Sequence, residues 1–229
     1  MIRIRKSDER GKHQLSWLDS KHSFSFGTYY DPEHMGVSVL RVINDDKVKP
    51  GAGFATHSHE DMEIISYIKR GEIEHKDSMG NTKQIPAGEF QLMSAGQGIS
   101  HSEYNPAADE MLEFLQIWIE PNEYGIEPVY QQKKFDTKDG LQLIVSPLGE
   151  SDSLKIHQNA YLYRLLMQSG ETLEYAIDPG RTVYIHMVSG TIEVNGQEIN
   201  PGDGMMIKDE QRIIWTGVSS SEALIFDLP

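Results

Sequence analysis

Two pairs of polar residues, each with a spacing of two, constrain this chain more than any other feature. His57 and His59 form one pair, and His101 and Glu103 form the other. Side chains alternate between the two faces of an extended strand, so both members of each pair point the same way. Two such strands on opposite sides of a narrow β-barrel would direct three imidazoles and one carboxylate into one interior. The pattern therefore predicts a mononuclear metal site.

The chain around these pairs has the short, regularly spaced apolar runs and Gly/Pro turns of an all-β protein. A strand is predicted over 37–43, ended by the polar residues 44–46, and the clearest hairpin spans 190–199. In that hairpin Asn195-Gly196 is suited to a type I′ turn. No long stretch has the 3.6-residue periodicity of a helix. Further strands are predicted at 54–59, 62–69, 72–75, 83–85, 90–93, 111–120, 141–145, 161–167, 182–188 and 222–228.

The two halves of the sequence resemble each other. "GEIEH…IPAGEF" in the first half is echoed by "GTIEVNGQEINPGDG" in the second, which indicates a duplicated barrel. The polar stretch 121–140 is the predicted linker. The second copy has His186 without a neighbouring ligand pair, and no His–x–Glu follows Gly202. We therefore predict a metal-binding barrel over 1–130 and a metal-free barrel over 131–229.

Composition limits the classes of partner and of ligand. A formal net charge of −14 argues against nucleic acid, because phosphate binding depends on clustered Lys and Arg. The sequence has no cysteine, so nitrogen and oxygen must hold any metal. It has neither an apolar signal-peptide core nor an apolar run of roughly 20 residues. We expect a cytoplasmic protein without a membrane partner.

Several motifs carry a resemblance to a known family. A Gly–x5–His–x–His motif at 51–59 and a Gly–x2–His–x3–Asn motif at 98–105 resemble the paired motifs of the cupin superfamily. "HSFSFGTYYDP", "HSHEDMEI", "HKDSMGN" and "PAGEFQLMSAGQGISHSEYNP" are similar to pirin-family sequences. The similarity is strong over 22–120 and weaker afterwards, and it is greatest to the bacterial pirin-like quercetin 2,3-dioxygenases.

The resemblance implies a bicupin, which consists of two tandem cupin-type β-barrels with little helix and a metal in the first barrel only. It implies His57, His59, His101 and Glu103 as the metal ligands. The general cupin pattern has a ligand Glu after the His–x–His pair, so Glu63 stays open as an alternative carboxylate. The remaining histidines of this half have no partner at ligand spacing and are not predicted ligands: His13, His22 and His34.

The resemblance also implies a reaction, the ring-opening dioxygenation of quercetin-like flavonols with release of carbon monoxide. The flavonol 3-hydroxyl would bind the metal, and Glu103 would act as both ligand and base. Three imidazoles and one carboxylate leave a divalent ion with a net charge of about +1 and leave six-coordinate iron with two open positions. Fe(II) is the favoured metal, and Zn, Mn, Ni, Co and Cu stay open. The substrates would be a flavonol and O2.

Three apolar residues close to the motifs, Phe54, Phe90 and Met93, are candidate walls of a substrate pocket, with simple core packing as the alternative. Two other functions stay open. Animal pirins are described as redox-sensitive, iron-dependent regulators of transcription factors, and on that reading the acidic surface would meet a basic protein partner. The metal could also serve only to stabilise a binding module.

Overall fold

The computed structural model describes residues 1–229 and consists almost entirely of β-strands. Two short 3-10 helices, Ser7–Glu9 and Glu150–Asp152, are the only helical segments, and no helix is long and apolar enough to cross a membrane. The strands, in chain order, are β1 Ile2–Arg5, β2 Gly11–Gln14, β3 Leu18–His22, β4 Leu40–Val48, β5 Gly53–His59, β6 Glu63–Arg70, β7 Glu72–Asp77, β8 Thr82–Pro86, β9 Glu89–Ser94, β10 Ile99–Tyr104, β11 Leu112–Ile119, β12 Val129–Lys134, β13 Gly140–Ser146, β14 Leu154–Lys155, β15 Tyr161–Met167, β16 Thr172–Ala176, β17 Thr182–Ser189, β18 Ile192–Val194, β19 Gln197–Ile199, β20 Gly204–Lys208, β21 Arg212–Gly217 and β22 Ser221–Leu228.

The chain divides into two compact units. The first unit comprises Gly11–Phe135 and Ile156–Gln158, and the second comprises Met1–Arg10, Asp136–Lys155 and Asn159–Pro229. Each unit contains one sheet of seven strands and one of four. The strand orders are β12-β9-β6-β11-β4-β3-β2 and β5-β10-β7-β8 in the first unit, and β1-β20-β17-β22-β15-β13-β14 and β16-β21-β18-β19 in the second.

This architecture confirms the predicted fold class, an all-β bicupin with little helix. The two sheets of each unit are separate, so each predicted barrel is a cupin β-sandwich without a closed ring of hydrogen bonds. The units are not continuous halves of the chain, because β1 belongs to the second unit and residues 156–158 belong to the first. The assignment of a metal to residues 1–130 and of none to 131–229 stays a prediction.

Apolar side chains from both sheets fill each sandwich. In the first unit, Phe114 and Ile68 of the larger sheet pack with Ile73 of the smaller sheet, and all three are almost completely buried. In the second unit, Trp215 is fully buried within one apolar cluster. Burial of a large apolar side chain contributes roughly 1.5–3 kcal/mol. Alternation of apolar residues along each strand therefore determines which face of the sheet turns inward.

The strand predicted over 37–43 differs from the structure at both ends. β4 begins at Leu40 and continues to Val48, through the residues expected to form a turn. It pairs with β11 on one side and β3 on the other, and Asn44 and Asp46 are buried within it. The prediction was wrong because the local preference of Asn and Asp for turns is outweighed here by strand pairing on both sides of residues 44–46.

The predicted linker 121–140 also contains structure. Strand β12 pairs along its whole length with β9 and forms an edge of the seven-stranded sheet of the first unit. Five of its six residues are only partly buried, which explains why its sequence is polar. An edge strand with one solvated face is rich in polar residues, so its sequence cannot be told from that of a linker.

The hairpin predicted at 190–199 is confirmed. β18 and β19 pair across Asn195 and Gly196, whose φ angles are 47° and 78°. A positive φ at both central residues defines the type I′ turn, which matches the twist of the flanking strands. The sequence signal was sufficient here because this contact is local.

The bend before β10 provides a test of backbone strain. A Cβ added to Gly96 would lie 2.1 Å from the carbonyl oxygen of Ile126, and the φ of Gly96 is +47°. Gly125 has a φ of +65° with nothing within 4 Å of its Cβ position. We expect Gly125→Ala to cost about 1–2 kcal/mol of unfolding free energy from the left-handed backbone alone. Gly96→Ala should cost a further 1–3 kcal/mol, approximately, from the steric contact.

The measurement is urea-induced unfolding of the two variants beside the wild type. Equal losses of unfolding free energy in Gly96→Ala and Gly125→Ala would contradict the steric part of the argument.

Candidate metal centre

The two predicted ligand pairs lie on adjacent strands of the four-stranded sheet. β5 and β10 are antiparallel neighbours, and His57 is the Cα partner of His101. We expected the two strands on opposite sides of a barrel, and that expectation was wrong. Residues directly opposite each other in an antiparallel pair share a face of the sheet, so adjacent strands bring the side chains together equally well.

Three imidazoles meet on this face. The Nε2 atoms of His59 and His101 lie 3.0 Å apart. The ring of His57 is 4.8 Å from that of His59 and 4.5 Å from that of His101, measured between ring centres. One nitrogen of each of the three rings lies within 4.8 Å of the others. His101, His75 and Glu103 form a second group of potential ligands, which is completely buried.

His59 and His101 have the protonation state that metal binding requires. Burial, with a smaller effect from the neighbouring histidines, lowers the pKa of His59 to about 4 and that of His101 to about 3. His57 Nδ1–H donates to the carbonyl oxygen of Ala55 at 2.8 Å, which leaves Nε2 with a free lone pair. Only neutral imidazoles bind metal ions. The donor set thus fits a divalent ion.

Glu103 is a buried carboxylate, with 2% of its surface exposed. Burial raises the pKa of its carboxyl group, whereas the nearby imidazoles and a hydrogen bond from Gln116 act in the opposite direction. Gln116 Nε2 donates to Oε2 of Glu103 at 2.9 Å, and Ser66 Oγ lies 3.3 Å from Oε1. Sequence reasoning missed both donors. The available signal was one polar residue in the middle of each strongly apolar strand, β6 and β11.

His75 and Asp77 were also missed. His75 is the Cα partner of Glu103 on β7, and its Nε2–H donates to Oδ2 of Asp77 at 3.0 Å. Both side chains are completely buried. The i, i+2 spacing that identified the other pairs is present here as well. Asp77 fixes the position of the His75 ring beside the centre, as carboxylates do for histidines close to metals.

Glu63, the alternative carboxylate ligand, lies elsewhere. Its Oε2 accepts a hydrogen bond from Ser94 Oγ at 2.9 Å, and its Oε1 lies 3.4 Å from His157 Nδ1. It belongs to neither group of potential ligands. The structure therefore favours Glu103 as the carboxylate of this centre.

A cavity of about 330 Å³ lies close to the centre. Phe26 lines this cavity and packs edge-to-face against Trp118, with 5.3 Å between ring centres. Trp118 packs in the same way against His59, with 5.0 Å between ring centres. Phe54 also lines this cavity, next to Glu103 in the sheet register. The residues that line it are His13, Leu15, Trp17, Leu18, Ser20, His22, Phe26, Gly27, Thr28, Asn44, Asp46 and Phe54.

The other two candidate pocket residues lie in packed regions. Phe90 is fully buried and stacks on Tyr67, with 4.3 Å between ring centres. Met93 is fully buried and packs with Ile64 and Ile99. Neither lines the cavity described above. A role of Phe90 and Met93 in substrate binding stays a prediction.

A bicupin whose first unit gathers three imidazoles on one face, with a buried carboxylate next to one of them, belongs to the class of metal-binding cupins. The Pirin family model matches residues 3–119, and the model of the quercetinase C-terminal cupin domain matches residues 143–228. The chain belongs to the pirin family.

The relatives support this membership over the whole chain. The chain is 52% identical over 229 residues to the quercetin 2,3-dioxygenase of Escherichia coli (strain K12), covering 100% of this chain and 99% of the relative. It is 40% identical to a pirin-like protein of Caulobacter vibrioides, with 99% of each covered. The crystal structure of the bacterial pirin YhhW of Escherichia coli in complex with nickel(II) has a TM-score of 0.98 and 51% identity, covering 100% of this chain and 99% of that one. The predicted class, a quercetin 2,3-dioxygenase-like oxidoreductase, is confirmed.

The carboxylate ligand can be tested with a matched pair of variants. Glu103 and Glu63 are both almost completely buried in the first unit. We expect Glu103→Gln to weaken nickel(II) binding by more than the roughly 10–100-fold that a supporting residue contributes. Glu63→Gln should leave the dissociation constant unchanged. Isothermal titration of each protein with nickel(II) measures both values, and the reverse order would make Glu63 the ligand.

His22 lines the cavity, and its lowered pKa makes the unfolding free energy depend on pH. Burial, and to a smaller extent the neighbouring His13, lowers its pKa from 6.5 to about 4. As the pH falls from 6.5 towards 4, the unfolded chain binds a proton that the folded chain does not, so the unfolding free energy decreases. The slope is about 1.4 kcal/mol per pH unit for one proton.

We expect His22→Gln to reduce this slope by up to about 1.4 kcal/mol per pH unit, which is the contribution of one proton. The slope is measured by urea unfolding of metal-free protein between pH 7 and pH 4. The control is His34→Gln, which should retain the wild-type slope. Identical slopes in all three proteins would contradict the prediction.

Proposed function

We propose that this protein is a divalent-metal-dependent dioxygenase that opens the ring of a quercetin-like flavonol, with His57, His59, His101 and Glu103 as its metal ligands. One observation carries the proposal: the 3.0 Å approach of two neutral histidine nitrogens beside a buried carboxylate. The 52% identity to a quercetin 2,3-dioxygenase supports the choice of reaction.

Fe(II) is the proposed metal. When bound, a divalent ion supplies a Lewis acid that stabilises a deprotonated hydroxyl group of the substrate. A donor set of imidazoles and one carboxylate accepts several first-row ions, and geometry and availability decide between them. The nickel(II) in the Escherichia coli relative is consistent with such a tolerant donor set.

The cavity beside the centre is the proposed flavonol site. Its volume of about 330 Å³ falls in the range of small-molecule sites, roughly 300–1,000 Å³. Trp17, Phe26 and Phe54 provide apolar walls against which a flat aromatic molecule can pack. Asn44 and Asp46 contribute buried polar atoms that can bind phenolic hydroxyl groups.

Glu103 is the proposed base for the 3-hydroxyl proton of the flavonol. Burial raises the pKa of its carboxyl group, and a raised pKa makes a carboxylate a better proton acceptor near neutral pH. The hydrogen bond from Gln116 holds the carboxylate in place. In the overall reaction both atoms of O2 enter the organic product, and one ring carbon leaves with its oxygen as carbon monoxide.

The test measures oxygen uptake and carbon monoxide release with quercetin, using iron-loaded protein at catalytic concentration. We expect many turnovers for the wild type and for the control His34→Ala. His101→Ala should lose both bound metal and activity, because His101 belongs to both groups of potential ligands.

Two results would contradict the proposal. One is a His101→Ala variant that retains full metal content and activity. The other is a metal-replete wild type that completes fewer than one turnover, which would favour the alternative of a redox-sensitive regulatory protein. A partner set that changes between Fe(II) and Fe(III) in a pulldown would then identify that function.

A further inference from the structure

A row of buried polar side chains crosses the seven-stranded sheet of the first unit. His22, Asn44, Gln116, Ser66 and Gln91 are successive Cα partners on β3, β4, β11, β6 and β9. Their register puts them on one face of the sheet, and each is at most 9% exposed. Burying this many polar groups costs free energy unless they are hydrogen-bonded, so a row of them in a core needs an explanation.

The row separates two apolar regions of the same interior. On one side, Phe114 is the partner of Ile68, and both belong to one apolar cluster. On the other side, Trp118 is the partner of Ile64, and both belong to a second cluster. Two apolar residues in place of Gln116 and Ser66 would join these clusters into one core. Packing therefore gives no reason for the polar residues at these two positions.

The two central members of the row reach across to the opposite sheet. Gln116 Nε2 donates to Oε2 of Glu103 at 2.9 Å. The single proton of the Ser66 hydroxyl can go to Oε1 of Gln116 at 3.1 Å or to Oε1 of Glu103 at 3.3 Å. When Ser66 donates this proton to Gln116, the amide oxygen is held on the serine side and the NH2 group faces Glu103, whose ionised carboxylate can only accept.

The hydrogen bond from Gln116 fixes the orientation of the Glu103 carboxylate. A hydrogen bond to an ionised acceptor is roughly twice as strong as one between neutral groups. With its Oε2 held from the seven-stranded sheet, the Glu103 carboxylate keeps one orientation towards the imidazoles of the four-stranded sheet. Partners of this kind determine how well a ligand residue binds a metal.

We propose that Gln116 and Ser66 are positioning residues of the metal centre: Ser66 orients the Gln116 amide, and Gln116 holds Glu103 in the orientation of a ligand. The proposal rests on the ligand set of the proposed function. It is independent of the substrate, because it concerns metal affinity and coordination and does not involve turnover.

The chain offers a matched control for the key variant. Gln91 lies in the same row, is completely buried, and makes no hydrogen bond with its side-chain amide. Gln116→Leu and Gln91→Leu therefore make the same chemical change within the same row of buried residues. Only the first removes a hydrogen bond to Glu103.

The experiment titrates each protein with nickel(II) and records the visible absorption of the cobalt(II) form. We expect Gln116→Leu to weaken nickel(II) binding by about 10–100-fold and to alter the cobalt(II) spectrum, because the carboxylate loses its fixed orientation. Ser66→Ala should change both in the same direction by less, and Ser66→Thr, which restores a hydroxyl, should recover the wild-type values. Gln91→Leu should leave both unchanged.

Wild-type nickel(II) affinity and an unchanged cobalt(II) spectrum in Gln116→Leu would overturn the proposal. Equal weakening in Gln116→Leu and Gln91→Leu would overturn it too, since it would reveal a general effect on packing. If Gln116→Leu does not fold, the comparison of Ser66→Ala with Ser66→Thr decides the question. A wild type that binds nickel(II) but does not convert quercetin would reject the proposed reaction and leave this inference intact.

Discussion

The burial of a single carboxylate, that of Glu103, is the constraint on which the candidate centre depends. Removing an ionised carboxylate from water costs several kcal/mol even after the protein relaxes. The hydrogen bond from Gln116 offsets part of this cost, and a bound cation would offset more. Burial lowers the pKa of His59 and His101, so these two imidazoles are neutral at neutral pH. The pocket therefore combines neutral nitrogen donors with a carboxyl group, which is the donor set of a cation-binding site.

The two sheets of the first unit contribute different parts of this site. The four-stranded sheet carries the proposed ligands, because β5 and β10 are antiparallel neighbours with His57 opposite His101. The seven-stranded sheet carries the polar row that supports Glu103. In the second unit the same pair of sheets encloses one apolar cluster that includes Trp215 and Met205. Since that sandwich packs without a polar row, the row in the first unit is better explained by the centre than by folding.

Aromatic contacts connect the centre to the nearby cavity. His59 touches Trp118, and Trp118 touches Phe26 in the cavity wall. Such edge-to-face pairs have defined geometry and add to the energy of burial. Phe26 lines the cavity, whereas Trp118 contacts His59 without lining the cavity. The cavity and the candidate centre are therefore connected indirectly, through aromatic side chains of this unit.

The sequence by itself determined the all-β class, the family, the Asn195-Gly196 turn and the residue types of the candidate centre. These features depend on local rules, since a spacing of two puts side chains on one face and a type I′ turn needs two residues with positive φ. Only the tertiary structure decided that β5 and β10 are neighbours, that residues 44–46 lie inside a strand, and that Gln116 and Ser66 face Glu103. Those facts depend on which strands pair and in which register, and strands distant in sequence carry no local mark of their partners.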